Sequence, residues 1–407
     1  MLCIPKFIVL GLAVAAATVS ATFAQNAPGP VPKQKARALP GSDLLWYDIR
    51  DLGVEGRGWN DTESFYDRLP ARVKAKAAEL LWNKSLLTAG MSVRFVTDAN
   101  SISARWTFRK VMKNGAPVGL LGATEPVPGI RPDSLGVPHM SANAASGVDL
   151  YVRHEGAWRH LGVGWATESL TNMWPVAANL DPGRREYQLY LPLFNGVDEA
   201  LIGIPRDATL SPAPPYPAGK TKPILFYGTS ITHGGCVSRA GMAYPSILGR
   251  RLGRPIINLG FSGSGIIQPE IAEVMPEIDA SVFLIDALPN LTAQLVAERM
   301  APLVRALRKA HPETPIILAE DRTITTAFVT KSWREYHAAN RAALRKTFEA
   351  LKAEGFRKLY YIEGEQQLGA DGEATADTSH PTDLGMMRIA DCYEPVLRAA
   401  LGEPAAR

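Results

Sequence analysis

The chain has 407 residues, of which 46% are hydrophobic and 21% are charged, and its formal net charge at pH 7 is +4. Since this length exceeds a single typical hydrophobic core, two domains are expected. The basic residues are spread along the chain without runs, which argues against a nucleic-acid-binding protein.

The first 24 residues have the pattern of a secretory signal peptide. Lys6 precedes an uncharged apolar run at residues 7–17, and the small residues Thr22 and Ala24 stand at the spacing of a cleavage site. The apolar run is short for a transmembrane anchor, although an uncleaved anchor is the alternative. We therefore expect residues 1–24 to be removed, leaving a periplasmic or secreted protein without an integral membrane span.

The cysteines and histidines give no indication of a metal site. Cys3 lies in the predicted signal peptide, which leaves Cys236 and Cys392. These two are candidates for a disulfide in an oxidising compartment if their Cα atoms come close enough. No Cys/His group has metal-ligand spacing, so neither a metal nor a cofactor is predicted.

The N-terminal half of the mature chain has the pattern of an all-β domain. Residues 25–40 are rich in proline, alanine and lysine and predict a disordered lead-in. Residues 41–209 then predict an antiparallel β-sandwich, interrupted by one amphipathic helix at 69–82. Its strands are expected at 92–97 and 102–108, joined by a hairpin turn, and at 148–152, 158–163 and 186–191.

Seven tryptophans fall in this half of the chain. In a β-sandwich such residues either fill the core or line a sugar-binding face, and the core is expected here. They are Trp46, Trp59, Trp82, Trp106, Trp158, Trp165 and Trp174.

The periodicity changes after a proline-rich linker at residues 210–222. Short apolar strands then alternate with helices, two of which are expected at 292–310 and 332–354. The strands are expected at 224–227, 256–259, 282–285, 316–319 and 359–362. This alternation over residues 223–402 predicts a three-layer α/β/α domain with a five-stranded parallel sheet.

Ligands bind at the carboxyl ends of such strands, so the residues that follow each strand are the informative ones. The first strand runs into Gly-Thr-Ser at 228–230, the second into NLGFSGSG at 258–265, and the third into DALPN at 286–290. DTSHP at 377–381 follows the fifth. A hydroxyl, a glycine-rich turn, an amide and an Asp/His pair are therefore expected at one sheet edge. Together they suit nucleophilic catalysis, since imidazole activates a serine hydroxyl and a carboxylate orients the imidazole.

These blocks resemble the SGNH hydrolases, the GDSL-type esterases and lipases, in the correct order. The resemblance implies a flavodoxin-like catalytic domain with nucleophile Ser230, base His380 and orienting acid Asp377. It also implies oxyanion donors at Ser230, Gly263 and Asn290. The sequence departs from the family pattern at Thr229, in place of the commoner aspartate, and around Asn290, where Leu288 and Leu291 replace a glycine and an acid.

A second resemblance lies in the sandwich domain. Residues 147–151 read GVDLY, the Gly-x-Asp-Leu-Tyr signature of the domain that precedes one subgroup of these hydrolases. The two resemblances together cover nearly all of the mature chain.

Several residues remain as alternatives or additions to this site. His233 is the rival base, with pocket lining or helix capping as its other roles, and Asp371 and Asp383 are alternative orienting acids. His233, Arg239 and Glu320 are candidates for lining the substrate pocket, although surface salt bridges also account for Arg239 and Glu320.

The predicted function is that of an exported serine esterase acting on a small acyl ester, acetyl above all, of a carbohydrate. The nearest alternative is a lipase or thioesterase for longer acyl chains. An alternative of another class is a carbohydrate-binding protein with an inactive hydrolase domain.

Overall fold

The computed structural model describes residues 28–113, 116–119 and 139–405. The predicted signal peptide, residues 1–24, therefore lies outside the described residues. Within the described ranges, no helix combines the length and the apolar character needed to cross a membrane.

The described part of the predicted lead-in is attached to the sandwich. The Val31 N–H donates to the Leu210 carbonyl at 2.8 Å, and Arg37 forms an antiparallel bridge with Trp46. The prediction of disorder is therefore wrong for residues 28–40. The physical reason is that Val31 gains a buried position against the core of the sandwich.

The N-terminal half forms antiparallel sheets, as the alternation predicted. Its strands are β1 Leu45–Asp48, β2 Val54–Glu55, β3 Ser92–Thr97, β4 Ile102–Phe108, β5 Lys110–Lys113, β6 Ala116–Gly119, β7 Val148–His154, β8 Ala157–Gly164, β9 Thr171–Ala177, β10 Arg185–Tyr190, β11 Val197–Ile204 and β12 Leu210–Pro212. One sheet has the order β1-β11-β4-β9, and the other has β12-β3-β10-β7-β8 with β2 added to β3. Strands β5 and β6 form a separate pair.

The alternating apolar residues of both sheets meet in one core. Phe95 of β3 and Trp106 and Phe108 of β4 are fully buried within the same cluster. The Trp106 indole N–H donates to the Ser146 carbonyl at 3.0 Å, which satisfies its one polar group. The core position predicted for tryptophan holds for Trp106 but not for every member of the set.

Trp165 is the exception among the tryptophans. Its side chain is 50% exposed and lies against Trp174, with ring centroids 5.0 Å apart. Trp46, Trp59, Trp82 and Trp106 are buried, whereas Trp158 and Trp174 are partly buried.

The predicted hairpin between β3 and β4 is wrong, because the two strands belong to different sheets. The turn bonds to distant segments instead of closing a two-stranded ladder. The Asp98 carboxylate accepts from the Thr209 N–H at 2.7 Å, and the Asn100 carbonyl accepts from the Leu180 N–H at 2.9 Å. The alternation of apolar and polar residues predicts which side chains of each strand face the core, but not which strands pair. Two strands in opposed sheets therefore show the same pattern as two strands of a hairpin.

Two further boundaries differ from the prediction. In place of one helix at 69–82, the chain forms a short 3-10 helix at Ala71–Val73 and then helix α1 at Glu79–Ser85. The predicted linker also begins later, because Leu210–Pro212 pairs with β3 as strand β12. A second short helix of this half, α2, covers Ala142–Ser146.

The C-terminal half is a parallel sheet covered by helices on both faces, as predicted. Its strands are β13 Ile224–Gly228, β14 Ile256–Gly260, β15 Val282–Asp286, β16 Ile316–Ala319 and β17 Leu359–Ile362. The helices are α3 Ser230–His233, α4 Tyr244–Leu252, α5 Pro269–Val274, α6 Ala293–Ala310, α7 Lys331–Ala353 and α8 Asp383–Leu401. The sheet order is β14-β13-β15-β16-β17, so the strand that leads to Ser230 has a neighbour on each side.

Candidate active site

Ser230 follows a sharp turn at the carboxyl end of β13. A Cβ at Gly228 would lie 2.1 Å from the Thr232 hydroxyl and 2.5 Å from the Asp286 carbonyl, so the turn requires glycine. Thr229 caps α3, because its hydroxyl accepts from the Ile231 N–H at 3.3 Å. The turn therefore leaves the Ser230 side chain at the first position of the helix, partly exposed at the sheet edge.

The Ser230 hydroxyl is hydrogen-bonded to an imidazole that a carboxylate holds in place. Ser230 Oγ lies 2.8 Å from His380 Nε2, and His380 Nδ1 lies 2.7 Å from Asp377 Oδ2. Asp377 Oδ1 also accepts from the backbone N–H groups of His380 at 2.7 Å and Ser379 at 3.1 Å. Because an ionised carboxylate only accepts, Nδ1 carries the proton and Nε2 is left to accept one from Ser230.

The surroundings of Asp377 keep it ionised. Partial burial would raise the pKa of this carboxyl, but the hydrogen bonds from the His380 N–H, the His380 ring and the Ser379 N–H outweigh burial and lower the pKa. The two alternative acids have other partners. Asp371 pairs with Arg388 at 2.7 Å, and Asp383 accepts from the Ser238 N–H at 2.8 Å.

The candidate oxyanion donors follow the strands on either side of β13. Gly228 is in register with Gly260 of β14 and Asp286 of β15, and Gly263 and Asn290 come shortly after these two residues. Gly263 has a φ of +71°, which glycine adopts readily. The Asn290 side-chain nitrogen is buried and has no hydrogen-bond partner among the described residues. A buried donor without a partner is costly, and a bound oxyanion would satisfy it.

Arg322 supports the loop that carries His380, a role that sequence reasoning missed. Its guanidinium is buried and donates to both the carbonyl and the hydroxyl of Ser379, at 3.0 and 2.5 Å. Close by, the Thr325 N–H donates to the Thr378 carbonyl at 3.0 Å. The segment after β16 therefore holds Thr378 and Ser379, the two residues between Asp377 and His380.

The N-terminal half also reaches this site. The His139 ring lies 5.3 Å from the His380 ring, centroid to centroid, and burial followed by repulsion from His380 lowers the pKa of His139. One ligand atom from each of His139, Cys236, Asp377 and His380 lies within 4.8 Å of the others, so these four side chains could hold a metal ion. Their spacing in the sequence did not predict such a site. Asp377 and His380 are already hydrogen-bonded to each other, however, so a metal would disrupt the contact described above.

Cys236 and Cys392 do not pair with each other. Cys236 is buried beside this site, and burial, followed by the nearby Asp377 charge, raises the pKa of its thiol to about 12. Cys392 lies on α8, with its sulfur 3.5 Å from the Gln366 carbonyl. Both thiols are free.

His233 is a structural residue rather than a rival base. Its ring is fully buried and stacks on Phe194 at 4.1 Å, Nε2 donates to the Leu193 carbonyl at 2.6 Å, and Nδ1 accepts from the Ser262 N–H at 3.4 Å. Burial, followed by the nearby charge of Arg68, lowers its pKa well below the usual range. These contacts do not support the prediction that His233 lines the substrate pocket.

The other two predicted pocket residues also have partners within the protein. Arg239 donates to Asp149 at 3.0 Å, and Glu320 accepts from the Tyr361 hydroxyl at 2.6 Å and from the Gly364 N–H at 2.9 Å. These contacts favour salt bridges and hydrogen bonds within the protein as the role of Arg239 and Glu320, rather than contact with a substrate.

Asp286, at the end of β15, is a buried carboxyl whose ionisation is costly. Burial raises its pKa to about 7, although the hydroxyls of Tyr244 and Thr232 donate to Oδ2 at 2.9 and 3.2 Å. The folded state thus holds this proton more tightly than the unfolded chain, whose carboxyl has the ordinary pKa of 3.8. The contribution of Asp286 to the free energy of unfolding is therefore largest below that value and is lost as pH rises towards 7.

Asp286→Asn is expected to remove this dependence. An amide does not titrate, so the melting temperature of the variant relative to wild type should rise between pH 5 and pH 8, equivalent to at most about 3 kcal/mol. Thermal unfolding followed across this range measures the difference, with Asp279→Asn as a control at an exposed position. Parallel curves for Asp286→Asn and wild type would show that the carboxyl does not titrate in this window.

Family comparisons agree with this architecture. Residues 221–398 match the GDSL-like lipase/acylhydrolase family model, and residues 44–123 and 132–210 match the model for the N-terminus of SGNH-hydrolase-type esterases, GxDLY. No curated protein sequence matches the chain.

Solved structures extend the comparison to the whole fold. A GDSL-like lipase from Bacteroides ovatus is 28% identical with a TM-score of 0.78, over 89% of this chain and 100% of that one. The salicylyl-acyltransferase SsfX3 of a tetracycline biosynthetic pathway is 17% identical with a TM-score of 0.66, over 90% and 99% of the two chains. A family two carbohydrate esterase from Clostridium thermocellum, in complex with cellohexaose, is 13% identical with a TM-score of 0.53, over 77% and 95%.

The α/β/α fold and these matches define the protein as an enzyme that hydrolyses ester bonds. More specifically, residues 221–398 form a domain of the GDSL-like lipase/acylhydrolase family, and the GxDLY domain of SGNH-hydrolase-type esterases precedes it.

Proposed function

We propose that the chain is an exported serine esterase that removes small acyl groups, acetyl above all, from carbohydrates. The observation that carries the catalytic part is the pair of hydrogen bonds from Ser230 to His380 and from His380 to Asp377, at the carboxyl end of β13. Export rests on residues 1–24, and N-terminal sequencing of the exported protein is expected to begin at Gln25.

The reaction follows from the direction of these hydrogen bonds. His380 Nε2 takes the Ser230 proton as Oγ attacks the ester carbonyl, and Asp377 stabilises the imidazolium that forms. The backbone N–H groups of Ser230 and Gly263 and the unpartnered Asn290 amide stabilise the oxyanion. His380 then protonates the departing alcohol, and water activated by the same imidazole releases the acid from Ser230. No cofactor takes part in these steps.

A carbohydrate substrate is supported by two separate observations. The half-exposed Trp165 and its neighbour Trp174 offer aromatic faces of the kind that pack against sugar rings. A relative in fold is a carbohydrate esterase crystallised with cellohexaose. Both make a glycan ester the preferred substrate class.

Exposed apolar side chains after β16 favour the lipase or thioesterase alternative. Phe328 and Val329 are 81% and 69% exposed, and Trp333 is 39% exposed. They belong to the segment after β16, in which Thr325 contacts the loop that carries His380. An exposed apolar cluster in this segment would suit a longer acyl chain.

A series of p-nitrophenyl esters, from acetate to octanoate, separates the two functions. We expect kcat/KM to be highest with acetate and to fall at least about tenfold by octanoate, because a small acyl pocket rejects added methylenes. Acetate release from acetylated xylan, against deacetylated xylan as the control, tests the carbohydrate. A kcat/KM that rises with chain length and drops in Phe328→Ser would establish the lipase alternative, and no hydrolysis of any ester would refute both.

A further inference from the structure

The GVDLY signature, residues 147–151, lies where the N-terminal half contacts the C-terminal half. It covers the start of β7, and Asp149 within it is only 1% exposed. A buried carboxylate needs partners that compensate for the loss of water. The partners of Asp149 therefore indicate what the signature does.

Two of these partners come from the loop that follows the nucleophile helix. Asp149 Oδ2 accepts from the Gly241 N–H at 2.8 Å and from the Arg239 guanidinium at 3.0 Å. On the side of its own domain, His160 Nε2 lies 3.2 Å from Asp149 Oδ1. One carboxylate thus binds both a backbone N–H and a charged side chain of the catalytic half.

Tyr151 and Arg250 complete the contact around Gly241. A Cβ at Gly241 would lie 2.4 Å from Tyr151 and 2.8 Å from Asp149, so only glycine allows the two halves to come this close. Arg239 also donates to the Tyr151 hydroxyl. Arg250 stacks over the Tyr151 ring at 3.9 Å and donates to the Gly241 carbonyl at 2.8 Å.

The same loop touches the proposed catalytic groups at its other end. We call residues 235–241 the bridging segment. At its start, the Gly235 N–H donates to the Ser230 carbonyl at 2.8 Å, and the Cys236 sulfur lies within 4.8 Å of a side-chain oxygen of Asp377 and a ring nitrogen of His380. At its middle, Ser238 donates from its N–H and its hydroxyl to both carboxylate oxygens of Asp383, at 2.8 and 2.5 Å.

We infer that Asp149 is a positioning residue for the hydrolase reaction: it fixes the bridging segment, which in turn supports Ser230, the His380 ring and the start of α8. The N-terminal domain therefore completes the active site through this carboxylate. Two signature residues contact the segment directly, since Asp149 binds it and Tyr151 packs on it. Gly147 leaves room for the Gly164 carbonyl, which a Cβ would approach to 2.6 Å. The inference rests on the proposed roles of Ser230 and His380.

The expected effect is on turnover rather than on substrate binding. Asp149 does not itself contact Ser230 or His380. Its loss would let the bridging segment move, while Ser230, His380 and Asp377 would all still be present. Displacement of catalytic groups by about 1 Å from a remote change costs on the order of 100-fold in rate. For Asp149→Ala we therefore expect kcat to fall between about 10- and 100-fold, with KM changed less than about threefold.

The experiment compares Asp149→Ala, Asp149→Asn and Arg239→Gln in the full mature chain. Asp149→Asn keeps an oxygen for the Gly241 N–H but loses the charge that faces Arg239, so its kcat should lie between those of wild type and Asp149→Ala. The matched control is Asp48→Asn, a buried carboxylate of β1 that pairs with Arg50 inside the N-terminal domain. Hydrogen–deuterium exchange and the rate of labelling by a fluorophosphonate are measured beside turnover, because exchange needs no catalysis.

The inference predicts faster exchange at residues 235–241, slower fluorophosphonate labelling and lower kcat in Asp149→Ala, with the Asp48→Asn control close to wild type. Faster exchange with wild-type labelling and kcat would overturn it, as would an equal loss of kcat in the Asp48→Asn control. If the wild type neither hydrolyses esters nor reacts with the fluorophosphonate, the proposed function fails, and the exchange data still report whether Asp149 fixes the segment.

Discussion

Ser230→Ala is expected to abolish ester hydrolysis while leaving the fold unchanged. The substitution removes the hydroxyl oxygen that would receive the acyl group and that lies 2.8 Å from His380 Nε2. Loss of the nucleophile in such a site lowers kcat by about 10⁴- to 10⁶-fold, the remainder coming from binding and the oxyanion donors. Turnover of p-nitrophenyl acetate measures the loss, and the melting temperature reports on the fold.

Ser281→Ala provides the matched control for this loss. Ser281 precedes β15 at the opposite edge of the same sheet, where its hydroxyl donates to the Pro223 carbonyl at 3.0 Å. The control should keep wild-type kcat and fluorophosphonate labelling, and Ser230→Ala should lose both. If Ser230→Ala retained more than about a hundredth of wild-type kcat, the nucleophile would have to be another group, such as water activated by His380.

Two features of the site are explained by the proposed catalytic role. One is the Asn290 side-chain nitrogen, after the end of β15, which is buried without a partner among the described residues. The other is the set of contacts around the His380 loop. Arg322 holds this loop through Ser379, and Cys236 of the bridging segment lies close to Asp377 and His380. Neither feature is needed to build a parallel sheet. Both are expected if the edge is preorganised for charge that develops only during the reaction, because donors fixed in advance need no reorganisation at that moment.

The parallel sheet was predictable because each strand is a short, continuous apolar run bounded by turn residues. The predicted ranges 316–319 and 359–362 coincide with β16 and β17, and the other three strands extend one residue further. Once the strands are known, the rule that ligands bind at their carboxyl ends brings Ser230, Asp377 and His380 together. Local pattern and this rule predicted the sheet edge, and the resemblance to the SGNH hydrolases implied which of its residues would act, including Asp377 rather than Asp371 or Asp383.

Contacts between distant segments were not predictable, since they leave no periodic signal. Residue type and spacing gave no reason to place His139 beside His380, or Arg322 beneath Ser379. His337 illustrates the same limit. It lies on α7 and is buried, with Nδ1 2.5 Å from Asp321, which follows β16. A polar residue on a helix face can be buried by a partner from another strand end.

Asp377→Asn is expected to cause the second large loss of activity. With an amide in place of the carboxylate, the group that faces His380 Nδ1 can be an N–H donor, which favours the tautomer with the proton on Nε2. That tautomer cannot accept the Ser230 proton. The expected decrease in kcat is about 10³- to 10⁴-fold, and the measurement is kcat with p-nitrophenyl acetate from pH 5 to pH 9.

Two neighbouring acids make the Asp377 prediction specific. Asp371→Asn breaks the exposed pair with Arg388 in the same loop, and it should keep kcat within about twofold of wild type because exposed ion pairs contribute little. Asp383→Asn should fall between the two, because Asp383 holds Ser238 and not the imidazole. The order Asp377, Asp383, Asp371 follows from which atom each carboxylate binds. Distance along the chain does not give this order, since Asp377 and Asp383 are both three residues from His380. A larger loss in Asp383→Asn than in Asp377→Asn would mean that support of the bridging segment matters more than the tautomer of His380.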